Sequence, residues 1–268
     1  MQSFKIDFVL LLQIQNTFDM KELIEILEKF DRMRTEKRNP ETWNKETVAE
    51  CFFPCAEEIL CNGYFLIDDR YIIDLGAIEL YYHEEDGAIK DHIMYHTNEH
   101  LPTKYKEIIK HDGGYPYFEF GSFNLHTSGV DVTFEKPKKK YRASFLIRSY
   151  RVLNKDENPA NLEKPFDACS THLFDDMFFS GILLGSETVK WVKTQNKGGK
   201  IIPNQREHVA CYQLKGNRFV KISKADYFAD KKIQDQFPEP KFFKYGKNEY
   251  LQDPILWQFK REGIKEEK

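Results

Sequence analysis

No stretch of this chain is apolar for long enough to cross a bilayer. The longest run, FVLLLQI at 8 to 14, falls well short of the roughly 20 residues a spanning helix needs. The run also lacks the small-residue cleavage pattern of a secretory signal, so no membrane association is expected, and the location implied is cytoplasmic, or nucleoid-associated in a bacterium. Cysteine is sparse and poorly arranged for cross-linking. Cys51, Cys55, Cys61, Cys169 and Cys211 are odd in number and form no CxxC pair, which argues against a disulfide framework and against a zinc ribbon. An excess of positive charge is missing too. With a net charge of −3, any contact with nucleic acid must come from a local patch. What the chain does have, in 268 residues, is 41% apolar and 15% aromatic content, enough for the core of one large domain or two small ones.

The periodicity predicts helices near the start and short strands after them. In MKELIEILEKFDRMR at 20 to 34, Leu, Ile and Phe recur at three and four residues, as on an amphipathic helix, with Asp19 as candidate cap. A polar linker at 35 to 44 follows, so residues 1 to 45 read as an N-terminal helical extension and 46 to 268 as the main domain. A second helix is expected from 46 to 60 despite Pro54, ended by Asn62-Gly63. YFLI, YIID and AIELYY, at 64 to 67, 71 to 74 and 77 to 82, read as an antiparallel meander. YRASFLIRSYRVL at 141 to 153 reads as a long strand, paired across a loop with DVTFE at 131 to 135. Further strands are expected at 208 to 214 and 218 to 222, and a helical stretch at 170 to 194. The sum is an α+β fold: a curved antiparallel sheet with flanking helices.

Two features invite a functional reading. KPKKKYR at 136 to 142 places Lys136, Lys138, Lys139, Lys140 and Arg142 in one loop, either a solvated hairpin tip or a contact for phosphates. AIELYYHEEDGAIKDH at 77 to 92 ends a strand with a carboxylate, two tyrosines, an acidic turn and a histidine. Glu79 and Tyr81 lie two apart, so in a strand they share a face.

That second stretch also stands in a recognisable order. AEEILCNGYFLI, IELYYHEEDGAIKDH, ASFLIRS and PKFFKYGKNEYL together resemble the alkyladenine (3-methyladenine, methylpurine) DNA glycosylases, from about residue 50 to about 252. The resemblance implies that fold, and a monofunctional DNA-repair hydrolase that flips a damaged purine out of the duplex and leaves an abasic site. It implies Glu79 as the carboxylate that activates water, Arg148 as the arginine that helps hold that water, and Tyr81 as the aromatic that stacks on the flipped base. His92 resembles the family's pocket histidine, with His83 as the alternative occupant. The expected partner is damaged DNA, bound by a monomer through the 136 to 142 loop, with no cofactor. No lysine maps where a Schiff-base nucleophile would stand.

The chain departs from that pattern in places. Where the family carries a tyrosine-rich wedge, this chain reads GSFNLHTSGVDV, in which Ser128 is small and His126 is the nearest ring. A pocket asparagine of the family has no clear counterpart, Glu135 lying near its position. Each residue alone also has a structural explanation, such as Arg148 pairing with Asp131 or Glu135 across a hairpin. His92, His96 and His100, four apart, form a competing metal-ligand pattern, weakened by Pro102 and the lack of an HExxH carboxylate. A non-catalytic or repurposed member of the same fold that binds nucleic acid or a nucleoside is the alternative function.

Overall fold

Two helices back one large sheet, and their sequences show why. Helix α1 (Lys21–Lys37) places Leu23, Ile26, Leu27 and Phe30 on one stripe, and all four are buried. Helix α2 (Lys45–Cys61) starts at Asn44, whose side chain accepts the Thr47 N–H at 2.8 Å, and buries Val48, Phe52, Cys55 and Ile59. Pro54 sits inside α2 without ending it. The first helix has Met20 rather than Asp19 at its cap and no side-chain cap bond. Residues 20 to 37, expected to belong to an extension, supply part of the main core: Phe30 meets Phe52 and Phe134 edge-on at ring separations of 5.9 and 5.4 Å. The computed structural model describes residues 17–94, 117–126, 128–178, 188–194, 197–216 and 218–267. Among them, no helix is long and apolar enough to cross a membrane.

The sheet is built around two long strands, β3 (Tyr71–Glu84) and β6 (Tyr141–Asn154), paired antiparallel from Tyr71↔Asn154 to Glu84↔Tyr141. The expected strands at 71 to 74 and 77 to 82 are one continuous strand with a bulge where Gly76 interrupts the register. A side chain at Gly76 would press into Ser149, Phe166 and Ile264, which is why only hydrogen fits there. On one side of β3 its first half pairs with β2 (Gly63–Ile67), and its second half with β14 (Gln258–Arg261). The bulge bends β3 where its neighbour changes, so the sheet curls. Beyond β2 lie β8 (Thr188–Lys193) and, parallel to it, β1 (Thr17–Asp19). β9 (Ile201–Asn204) continues from β14. On the far side of β6 lie β5 (Gly129–Thr133) and β4 (Phe123–His126). The short β7 (Phe166–Asp167) and β15 (Glu266–Glu267) complete the sheet. The architecture is α+β, a curled, mainly antiparallel half-barrel with few helices.

The stretch expected as helical from 170 to 194 contains helix α3 (Ser170–Phe178) and then strand β8. The strands expected near 208 to 222 form the hairpin β10 (Tyr212–Lys215) and β11 (Arg218–Lys221). Helices α4 (Lys224–Ala229) and α5 (Lys231–Gln236) and a second hairpin, β12 (Phe242–Tyr245) and β13 (Asn248–Leu251), pack with it around Cys211, Ile222, Tyr227, Ile233 and Leu251. This small cluster is separate from the main core.

Candidate active site

Strand alternation sorts β3 into two faces. Ile78, Leu80 and Tyr82 point into the core with the helices, and Glu79 and Tyr81 point the other way. Pairing carries the second face sideways: Glu79 opposes Leu146, Leu146 opposes Asp131, and Tyr81 opposes Ser144. These residues, with Arg148 two positions beyond Leu146, line a cavity of about 210 Å³. Its rim is formed by Ile93, His126, Ser128, Glu207, His208 and Val209, among others. Glu79, Tyr81, Arg148 and His126, distant in sequence, therefore meet in one pocket.

Glu79 is almost wholly buried, at 2% exposure. Its Oε2 accepts a hydrogen bond from the Tyr81 hydroxyl at 2.8 Å and lies 3.8 Å from Arg148 Nε, while its Oε1 has no hydrogen-bond partner. Burial raises the carboxyl above its ordinary pKa; the charges of Arg148 and Arg206 and the Tyr81 hydrogen bond oppose that rise without cancelling it. Burial and the neighbouring Glu79 charge raise the Tyr81 phenol strongly, so it stays a donor at neutral pH. A carboxylate so placed can take a proton from a water in the cavity. Arg148 pairs with Glu79 and not across the hairpin.

Three contributors had no signature in the sequence. Arg206 is buried, paired with Asp91 at 2.7 Å, and lies over the Tyr81 ring at 5.1 Å and the Trp257 ring at 4.9 Å. It occupies one side of the Tyr81 ring and adds positive potential near Glu79. Asp131 faces the cavity from β5 and pairs with His126, Oδ2 to Nε2 at 3.2 Å. The Ser128 N–H donates to His126 Nδ1 at 3.2 Å, which places the ring proton on Nε2, toward Asp131. His208 holds a left-handed backbone, φ 59°, at the rim, a conformation uncommon outside glycine and more often taken by Asn, Asp and His than by other side chains. All three depend on contacts between distant segments.

Other expected residues lie elsewhere. His92 does not line the Glu79 pocket. It faces a neighbouring cavity of about 540 Å³, with its ring 4.0 Å from that of Phe219 and 5.3 Å from that of Tyr212. His96 and His100 lie outside the described residues, and among those described no group of three or more His, Cys, Asp or Glu is placed to hold a metal. The alternative, His83, is buried opposite Arg142 in the β3–β6 ladder and is not among the pocket residues. Glu135 is buried and bound to Arg142 and to the Phe118 N–H.

The basic loop differs most from expectation. Arg142 is 1% exposed, pairs with Glu85 at 2.9 Å and Glu135 at 3.3 Å, and stacks on Tyr117 at 4.0 Å; it is a structural arginine and offers phosphate nothing. Lys136 pairs with Glu28, Lys139 with Asp31 at 2.7 Å, and Lys140 with Asp86. Glu28 and Asp31 belong to α1, on the side of the sheet opposite the pocket. Lys138 alone of these lysines has no carboxylate partner among the described residues. The loop is largely neutralised and turned away from Glu79. No family model, no curated protein and no solved structure matches this chain.

Proposed function

We propose that the chain is a divergent member of the alkyladenine DNA glycosylase family and a DNA-repair hydrolase. It hydrolyses the N-glycosidic bond of a flipped alkylated or deaminated purine and leaves an abasic site. One observation carries the proposal: Glu79, almost wholly buried, lines a pocket and is held through one oxygen by Tyr81 and Arg148. Breaking the glycosidic bond builds positive charge on the sugar, and a water must attack the anomeric carbon. Glu79 accepts that water's proton and its negative charge offsets the developing cation. Tyr81 lines the cavity with Arg206 over its ring, and it provides the stacking surface for the flipped base. The curled sheet backed by two helices is consistent with the family's fold.

A second function, binding without excision, has its own support in the hairpin that would act as wedge. Ser170 Oγ donates to the Ser128 carbonyl at 2.8 Å, and any side chain at Gly129 would press into Ser170, so this turn is packed on the start of α3. A packed turn with a small residue does not fill the gap left by a flipped base. The two functions separate in an abasic-site assay on duplexes and single strands carrying an alkylated purine or hypoxanthine. Alkali-labile sites made by wild type and lost in Glu79→Gln establish the glycosylase. Failure of wild type on every lesion leaves the binding function.

A further inference from the structure

The described residues place exposed aromatics beside Lys221, which has no carboxylate partner among them, far in sequence from the 136 to 142 loop. Residues 211 to 252 carry nine lysines and arginines against five carboxylates, in a chain whose net charge is −3. Register shows which of them share a face. Tyr212 opposes Lys221 and Leu214 opposes Phe219, so these four side chains stand on one side of the β10–β11 hairpin. Lys221 reaches over the rings of Tyr245 and Tyr250, at 5.1 and 5.5 Å, which joins that side to the β12–β13 hairpin. Of this face, Leu214 is 60%, Phe219 45% and Tyr245 65% exposed.

The face also touches the pocket. Phe243, opposite Tyr250, meets the His208 ring at 5.6 Å, and His208 is on the rim of the Glu79 cavity. On the other hairpin, His92 stacks on Phe219 within the cavity next door, which shares Ile93 and Val209 with the first. We propose that this face holds a nucleic-acid strand, with Phe219 and Tyr245 stacking on unpaired bases beside the flipped nucleotide and Lys221 meeting phosphate. Solvent-exposed rings interleaved with a lysine that has no carboxylate partner among the described residues are the elements of a single-strand stacking platform. Charge complementarity selects a polyanion over an apolar partner. The proposal rests on reading the Glu79 cavity as a base pocket, and it accounts for strand binding without a wedge.

The test is fluorescence anisotropy of a labelled single strand, and of a duplex carrying a stable abasic-site analogue, titrated with the full chain. The expected result is that Phe219→Ala and Tyr245→Ala each weaken single-strand binding roughly ten-fold, and that Lys221→Ala also flattens the salt dependence. Lys138→Ala and Lys139→Ala in the other loop leave binding within two-fold. All five substitutions are at exposed or half-buried positions, and a melting curve for each variant checks its fold. Loss of binding in the loop variants but not the hairpin variants overturns the proposal. So does a wild type that binds no DNA and instead self-associates through Phe219 and Tyr245, which assigns the face to a second copy. Hairpin-dependent binding without abasic-site formation keeps the surface and removes the glycosylase. Excision lost in Glu79→Gln but binding unchanged in the hairpin variants does the reverse.

Discussion

Strand β3 carries two glutamate–tyrosine pairs, one on each face, and their surroundings differ. In both, a tyrosine hydroxyl donates to a carboxylate oxygen at 2.8 Å: Tyr81 to Glu79, and Tyr82 to Glu84. Around Glu84, the same oxygen also takes Arg34 at 2.9 Å, Trp43 Nε1 at 3.1 Å and Arg38 at 3.3 Å, while any side chain on Gly87 would run into the other oxygen. Around Glu79 there is one arginine at 3.8 Å and a cavity. A carboxylate with four donors on one oxygen and its other oxygen packed against Gly87 is a structural anchor. The same group with a thin shell and open space beside it is available for chemistry.

Exchanging the insults sharpens the contrast. Glu79→Gln is expected to lower excision by about 10²–10⁴-fold, the usual worth of a general base, while melting at or above the wild-type temperature. The reason for the second half is that a carboxyl whose pKa is raised on folding stabilises most below its unfolded pKa and loses that contribution as pH climbs through the folded value, so at neutral pH the buried charge is a cost. Glu84→Gln is expected to do the opposite. It leaves Arg34 buried with a weakened partner and should cost about 3–5 kcal/mol in denaturant titration, with excision falling only in step with the folded fraction. Equal destabilisation by both substitutions would erase the distinction.

Smaller effects probe Glu79 itself. The excision rate should rise with pH through a midpoint above the ordinary carboxylate value, because the active form is the ionised one and burial has raised its pKa. A rate that shows no rise with pH anywhere on the acid side of its optimum would remove Glu79 as base. Arg148→Ala should move that midpoint higher by removing the nearest positive charge, and Tyr81→Phe should move it the same way by less. A downward move in either variant contradicts the electrostatic arrangement described.

Much of this was legible beforehand. The stripe of Leu23, Ile26, Leu27 and Phe30 announced α1, and the two-residue spacing of Glu79 and Tyr81 announced a shared face, because both depend on periods of a few residues. Gly76 was legible only as punctuation, since its role as a bulge depends on Ser149, Phe166 and Ile264 packing against it. The KPKKKYR loop was misleading for the same reason: Lys139 and Asp31 are 108 residues apart, and nothing in either segment signals the other.

By itself, then, the amino-acid order determined the elements, their apolar faces and the pair at Glu79. Those follow from backbone geometry and alternation, which act over one or two turns or strand repeats. Only the tertiary structure decided which carboxylate lines a cavity and which has one oxygen crowded by donors, that Arg206 and Asp131 join the pocket, that His92 belongs to the next cavity, and that the basic loop is largely neutralised. Burial, charge pairing and empty space arise between segments far apart in the chain, and no local pattern encodes them.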